Sequence, residues 1–212
     1  MRRISPSLSP MALRLKEGLT FYFCRHGETE ANVEKRFQGR TKDTPLTAKG
    51  LEQTTAIASI LKRDAPNFAA LSYVCSPLPR ARTTMELIRD KLGLPRDDFA
   101  LDPRLMEIDL GLWDGLTHEE ARALNPAAFD AREADKWNVH APNGENYEEV
   151  AARATSFVTH LTRDTFAVAH GAFTRILRGL FQGLDWKQMS ALDEPQGCIF
   201  RVRGSEVVRL DA

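Results

Sequence analysis

Three short apolar runs, residues 19–24 (LTFYFC), 71–75 (LSYVC) and 165–169 (TFAVA), each stop abruptly at polar, reactive side chains. Runs of this length, rich in aromatic and β-branched residues and bounded by polar segments, read as strands. Each is followed by a helical pattern. Thr47 can N-cap a helix to about Lys62 that places Leu51, Thr55, Ala58 and Leu61 on one face. Pro77 and Pro79 open a second helix that runs through about Leu92, and a third spans about Phe173 to Phe181. Alternating strands and helices predict an α/β fold, a three-layer α/β/α sandwich around a mostly parallel sheet. Residues 199–202 and 206–210, joined at Arg203-Gly204, predict a closing hairpin that supplies an antiparallel edge strand.

The middle of the chain, residues 102–143, is less regular. Thr117 with Glu120 forms a capping-box pattern and Pro126 starts a short helix, so this segment is expected to cover one side of a site. Residues 146–162 carry Val150, Ala154, Phe157, Val158 and Leu161 on one helical face.

Lysine plus arginine balances aspartate plus glutamate at 29 each, which argues against a nucleic-acid or membrane-surface partner. The cysteines, Cys24, Cys75 and Cys198, have neither metal-site spacing nor an even number for a disulfide framework, and they fit a reducing cytoplasm. No apolar run reaches the roughly 18 residues that cross a bilayer. Residues 1–17, with Arg2, Arg3, Ser5, Pro6, Ser7, Ser9 and Pro10, offer little to bury and read as a flexible leader, with Met11 an alternative start. Residues 18–212 are expected to form one domain.

In a parallel sheet, ligands bind beyond the carboxyl ends of the strands. Arg25-His26, Ser76 to Arg80 and His170-Gly171 stand at three such ends. Two arginines and two histidines there would make a compact cationic pocket for a tetrahedral oxyanion, and a neutral imidazole beside an arginine can attack phosphorus. A cysteine-dependent phosphatase needs five residues between cysteine and arginine, whereas Cys75 and Arg80 enclose only Ser76 to Pro79. The P-loop and Rossmann glycine patterns are absent. His26-Gly27-Glu28 is a weak hint of a metal site.

Blocks in a fixed order carry a family resemblance. Arg25-His26-Gly27-Glu28-Thr29-Glu30-Ala31-Asn32, with Gln38-Gly39 and Asp43-x-Pro45-Leu46-Thr47-x-x-Gly50, resembles the signature of the histidine phosphatase superfamily, phosphoglycerate mutase-like branch. Ser76-x-Leu78-x-Arg80-Ala81-x-Thr83, the stretch from Leu105 to Gly115 with Glu107 and Trp113-Asp114, Asn143-Gly144-Glu145 and Val168-Ala169-His170-Gly171 are similar to its later blocks. The resemblance implies that His26 becomes phosphohistidine and that Arg25, Arg80 and His170 bind the phosphoryl oxygens. Glu107 would be the proton donor, with Glu28 its rival. Asn32 would add a phosphate contact, and Gln38 and Gly39 contacts to substrate. It implies no cofactor and no metal, because positioned cations can stabilise the spread phosphoryl charge.

Mutases of this branch show Glu-Arg-His-Tyr-Gly after the acid; here Glu107 is followed by Ile108-Asp109-Leu110-Gly111, and the segment to Asn143 is short for a mutase insertion. The expectation is therefore a metal-independent phosphatase of small phosphomonoesters, with a phosphoglycerate mutase, an α-ribazole phosphate phosphatase or a phosphohistidine-protein phosphatase as alternatives. Asn146 and Ala172-Phe173 depart from the usual phosphatase pattern and leave the substrate open. The expected partner is a small phosphorylated molecule, and a homodimer is allowed.

Overall fold

The computed structural model describes residues 12–212. In chain order the elements are β1 (Phe21–Arg25), α1 (Glu30–Val33), α2 (Ala48–Asp64), β2 (Ser72–Cys75), α3 (Pro79–Leu92) and β3 (Ala100–Leu101). They continue with α4 (His118–Leu124), α5 (Pro126–Ala134), α6 (Tyr147–Thr159), β4 (Thr165–Ala169), α7 (Gly171–Gln182), α8 (Trp186–Ala191), β5 (Ile199–Arg203) and β6 (Glu206–Leu210). The strands form a six-stranded sheet in the order β3-β2-β4-β1-β5-β6. β3, β2, β4 and β1 are mutually parallel, and β5 and β6 add the antiparallel edge.

Side chains alternate across each strand, so a strand buried on both faces is apolar throughout. Phe21 and Phe23 of β1, with Ala167 and Ala169 of β4, pack against Phe157 of α6 and Phe173, Ile176 and Leu177 of α7. Tyr22, Cys24, Phe166 and Val168 point the other way, onto Ile57, Ile60 and Leu61 of α2 and Met85 and Ile88 of α3. These are the expected three layers.

Local capping follows the sequence. Thr47 accepts from Gly50 N–H at the start of α2, and the Thr117–Glu120 capping box opens α4. α8, which the sequence reading left out, has the same kind of signal in Asp185 and Gln188. β3 is only two residues long and exposed, too short to leave a pattern. Residues 1–11 of the expected leader lie outside the described residues. Residues 12–17 do not run free: Leu15 is buried, Leu13 N–H donates to Leu180 O at 2.8 Å and Leu15 N–H to Gly204 O at 2.7 Å. Apolar side chains at Leu13 and Leu15 fasten this segment, a signal outweighed in sequence by the basic and proline-rich residues before it.

Candidate active site

β4 lies between β1 and β2, so the residues following these three strands emerge side by side. The ladder continues past the strands: His26 N–H donates to Ala169 O at 3.0 Å and Ser76 N–H to Val168 O at 3.1 Å. His26 and His170 are thereby fixed with ring centroids 5.2 Å apart. Gly27 is needed for close approach to α2, since a Cβ there would meet Gly50 O at 2.7 Å.

His26 is buried, and its Nδ1 lies 2.8 Å from Gly27 O. A carbonyl only accepts, so Nδ1 carries the proton and Nε2 holds a bare lone pair. Arg80 Nε donates to that Nε2 at 3.2 Å. Burial, then the Arg80 and Arg25 guanidiniums, push the imidazole well below its ordinary pKa, so it is neutral. His170 is displaced in the same direction, by burial first and then Arg80 and His26. Its Nε2 is 2.7 Å from Ser76 Oγ, whereas its buried Nδ1 has no partner among the described residues.

Arg80 comes from the first turn of α3 and is fully enclosed. Its Nη2 donates to Gln38 O at 3.0 Å and Gly39 O at 2.8 Å, and its Nη1 lies 3.5 Å from Asp43 Oδ2. Arg25 Nη1 donates to Glu194 O at 2.8 Å.

Glu107 is buried at the N-terminus of α7. Its Oε1 accepts from Ile108 N–H at 2.8 Å and Phe173 N–H at 3.1 Å, and its Oε2 accepts from Ala172 N–H at 3.1 Å. Those donors favour the carboxylate, yet burial and then the nearby Glu194 raise its pKa overall. Glu28 differs. Lys49 Nζ and Thr47 Oγ1 donate to it, each at 3.0 Å, and hold its pKa down, Lys49 foremost, which makes it the poorer proton donor.

Asn32, Arg25, His26 and Glu107 line a cavity of about 570 Å³. Asn32 Oδ1 accepts from Thr29 N–H at 3.2 Å and Gln196 Nε2 at 3.1 Å. Gly39, expected at the substrate, is placed differently from Gln38. Gln38 reaches the cavity wall, but its Oε1 accepts from Thr29 Oγ1 at 2.8 Å and its Nε2 donates to Thr44 Oγ1 at 3.3 Å. Gly39 presents its carbonyl to Arg80 and lies outside the cavity lining. Both support the site, because their polar groups are spent inside the protein. Trp113 is core, all three cysteines are buried and unbridged, and His118 stands exposed at the cavity rim.

The structure adds cavity residues that sequence reasoning passed over: Arg132 and Lys136 from the α5 region, Tyr147 of α6, Arg175 of α7, and Glu194 and Gln196 before β5. Arg132 is buried and, among the described residues, forms no ion pair; its chain neighbour Glu133 is taken by Lys136 at 3.0 Å. Its Nε has no partner, and its guanidinium lies 5.8 Å from the Trp113 ring centroid and 6.0 Å from that of Tyr147. Arg175 reaches Glu194 Oε1 at 3.0 Å and hydrogen-bonds the Tyr147 hydroxyl. Glu145, outside the cavity lining, holds Arg40 at 2.7 Å and Arg153 at 3.1 Å; these in turn grip Glu107 O at 2.9 Å and Met106 O at 2.6 Å. Among the described residues no group of three or more histidines, cysteines or carboxylates is placed to hold a metal, and no helix is long and apolar enough to cross a membrane.

The chain is similar in sequence and in fold to known proteins. The chain is 36% identical over 173 residues to the glucosyl-3-phosphoglycerate phosphatase of Mycolicibacterium vanbaalenii, a match covering 76% of this chain and 72% of that one. It is 31% identical over 164 residues to 6-phosphofructo-2-kinase/fructose-2,6-bisphosphatase 1 of Bos taurus; the match takes in 76% of this chain but only 32% of that relative. Among solved structures, the α-ribazole phosphatase of Shigella flexneri superposes with a TM-score of 0.78 over 92% of this chain and 96% of its own, at 24% identity, a likeness of fold alone. A mycobacterial glucosyl-3-phosphoglycerate phosphatase in complex with VO3 gives a TM-score of 0.73 at 30% identity, covering 92% of this chain and 98% of its own. Residues 21–207 match the family model of the histidine phosphatase superfamily (branch 1), and the chain, whose similar proteins include phosphatases, belongs to that superfamily.

Proposed function

We propose that this protein is a metal-independent phosphatase that hydrolyses small phosphomonoesters through a phosphohistidine on His26. The observation that carries the reading is the state of His26: buried, neutral, its proton committed to Gly27 O and its Nε2 lone pair turned to Arg80. In this reading Nε2 attacks phosphorus in line with the leaving oxygen. The Arg80 Nε–H moves from Nε2 to a phosphoryl oxygen, and Arg25 and Asn32 supply further donors from the cavity wall. His170 would donate from Nδ1, which requires Ser76 O–H to donate to its Nε2. The P–O bond breaks as N–P forms, and protonated Glu107 gives its proton to the departing alkoxide. Water then attacks the phosphohistidine, passes its proton back to Glu107, and inorganic phosphate leaves with His26 restored.

The same reading extends to the substrate class, a phosphomonoester that bears a second anionic group. Arg132 supports this: a buried guanidinium without an ion-pair partner among the described residues, lining the cavity with Lys136, Arg175 and Tyr147, is costly unless an anion joins it. Two of the similar proteins are named for a bisphosphate and a phosphoglycerate.

Brief incubation with a phosphate-labelled substrate tests the core of the proposal. An acid-labile, alkali-stable adduct is expected in the native protein and none in His26→Ala; label that survives the substitution removes His26 from its role. Activity is expected to persist in excess chelator. A screen of phosphomonoesters, with 2,3-bisphosphoglycerate as a mutase cofactor, ranks substrates and tests the mutase alternative.

A further inference from the structure

Asp114 follows the short helical turn Gly111–Trp113, and its carboxylate takes four hydrogen bonds from one loop. Oδ1 accepts from Gly39 N–H at 2.7 Å; Oδ2 accepts from Thr41 N–H at 2.6 Å, Thr41 Oγ1 at 2.7 Å and Lys42 N–H at 3.2 Å. The start of the loop is fastened to the same turn, with Phe37 N–H donating to Leu116 O at 2.7 Å and Gly115 N–H to Phe37 O at 2.8 Å. There is no slack at Gly39: a Cβ would lie 3.2 Å from Leu110 N and 3.3 Å from Asp114 Cγ. Burial works against the Asp114 charge, but the Thr41 hydroxyl and the loop N–H groups outweigh it and hold the carboxyl below its usual range.

What this loop presents on its other side is the pair of carbonyls that orient Arg80. Gln38 O and Gly39 O accept from Nη2, which leaves Nε directed at His26 Nε2, 3.2 Å away. A continuous chain of hydrogen bonds therefore runs from Asp114 through Gly39 and Arg80 to His26.

We propose that Asp114 is a positioning residue for phosphoryl transfer, acting through the loop at 38–42 to hold the Arg80 guanidinium against His26. The inference rests on the phosphatase reading. Asp114→Asn turns one acceptor oxygen into a donor that faces N–H groups, so the loop carbonyls and the guanidinium shift while the fold's core is untouched. A misplacement on the order of 1 Å at a reacting centre costs up to about 100-fold in rate.

A double-mutant cycle tests it, measuring kcat/KM for p-nitrophenyl phosphate in the native protein, Asp114→Asn, Arg80→Ala and the double variant. Asp114→Asn is expected to lose about 10- to 100-fold. Added to Arg80→Ala it is expected to change activity by no more than about 2-fold, because the group it positions is gone. The inhibition constant for orthovanadate should rise in step with the loss in Asp114→Asn. Independent, multiplicative losses overturn the role of Asp114 but leave the phosphatase reading intact, as does a harmless Arg80→Ala; no hydrolysis of p-nitrophenyl phosphate by the native protein overturns the phosphatase reading itself. If Asp114→Asn does not fold, Thr41→Val removes a single donor to Oδ2. An unchanged kcat/KM and vanadate constant in that variant refute the proposal, and a loss of about 2- to 5-fold that vanishes in Arg80→Ala supports it.

Discussion

Replacing Arg132 with methionine separates a binding role from a structural one. Arg132 is 5% exposed, has no carboxylate partner among the described residues and stacks only loosely on Trp113 and Tyr147. A charge-assisted hydrogen bond to a substrate anion is worth about 1.5–3 kcal/mol, so its loss should lower kcat/KM about 10- to 150-fold for a substrate with a second phosphate or a carboxylate. p-Nitrophenyl phosphate, which has no second anion, should be turned over within about 2-fold of the native rate. Stability should move the other way. Methionine keeps the apolar stem against Trp113 and removes a buried, uncompensated cation, a gain on the order of 1 kcal/mol, or about 2–4 °C in Tm for a chain of this size. Steady-state kinetics on the two substrate classes and a thermal melt of the same preparations suffice. A lower Tm with unchanged selectivity would refute the reasoning and leave Arg132 a packing residue.

Glu107→Gln should lower kcat/KM by about 100-fold or more for alkyl phosphates and by less than about 10-fold for p-nitrophenyl phosphate, whose leaving group needs no proton; equal losses would count against a proton donor. The pH dependence of stability follows from the buried imidazoles. His26 and His170 have folded pKa values well below 6.5, so as pH falls below 6.5 the unfolded chain binds protons that the native state does not, and stability falls. Each contributes about 1.4 kcal/mol per pH unit between its folded and unfolded values. Glu107, whose folded pKa is raised above 4.5, works in the opposite sense and offsets part of this slope. Urea melts at pH 7 and pH 5 should therefore show lower stability at pH 5 in the native protein, with a shallower slope in His170→Asn; equal slopes would contradict the burial argument.

The linear order of residues by itself determined the layers and the centre of the site. Strands buried on both faces are apolar nearly throughout, so β1 and β4 stood out, with β2 a short aromatic and β-branched run, and in a parallel sheet their carboxyl ends converge; hence His26, Arg80 and His170 could be placed together before any distance was known. Capping residues likewise act within a few positions, which is why α4 was legible, and the apolar face of α6 repeats with the helical period. What the tertiary structure alone decided was the use of each polar group. Gln38 and Gly39 sit in the same motif as His26, but their hydrogen bonds turn inward to Thr29 and Arg80. Arg132, Arg175 and Glu194 carry no signal in sequence, because nothing local distinguishes a charge facing water from one facing a cavity. That distinction depends on which distant segments pack beside it, and so does the neutrality of His26, produced by burial and by guanidiniums from two different strand ends.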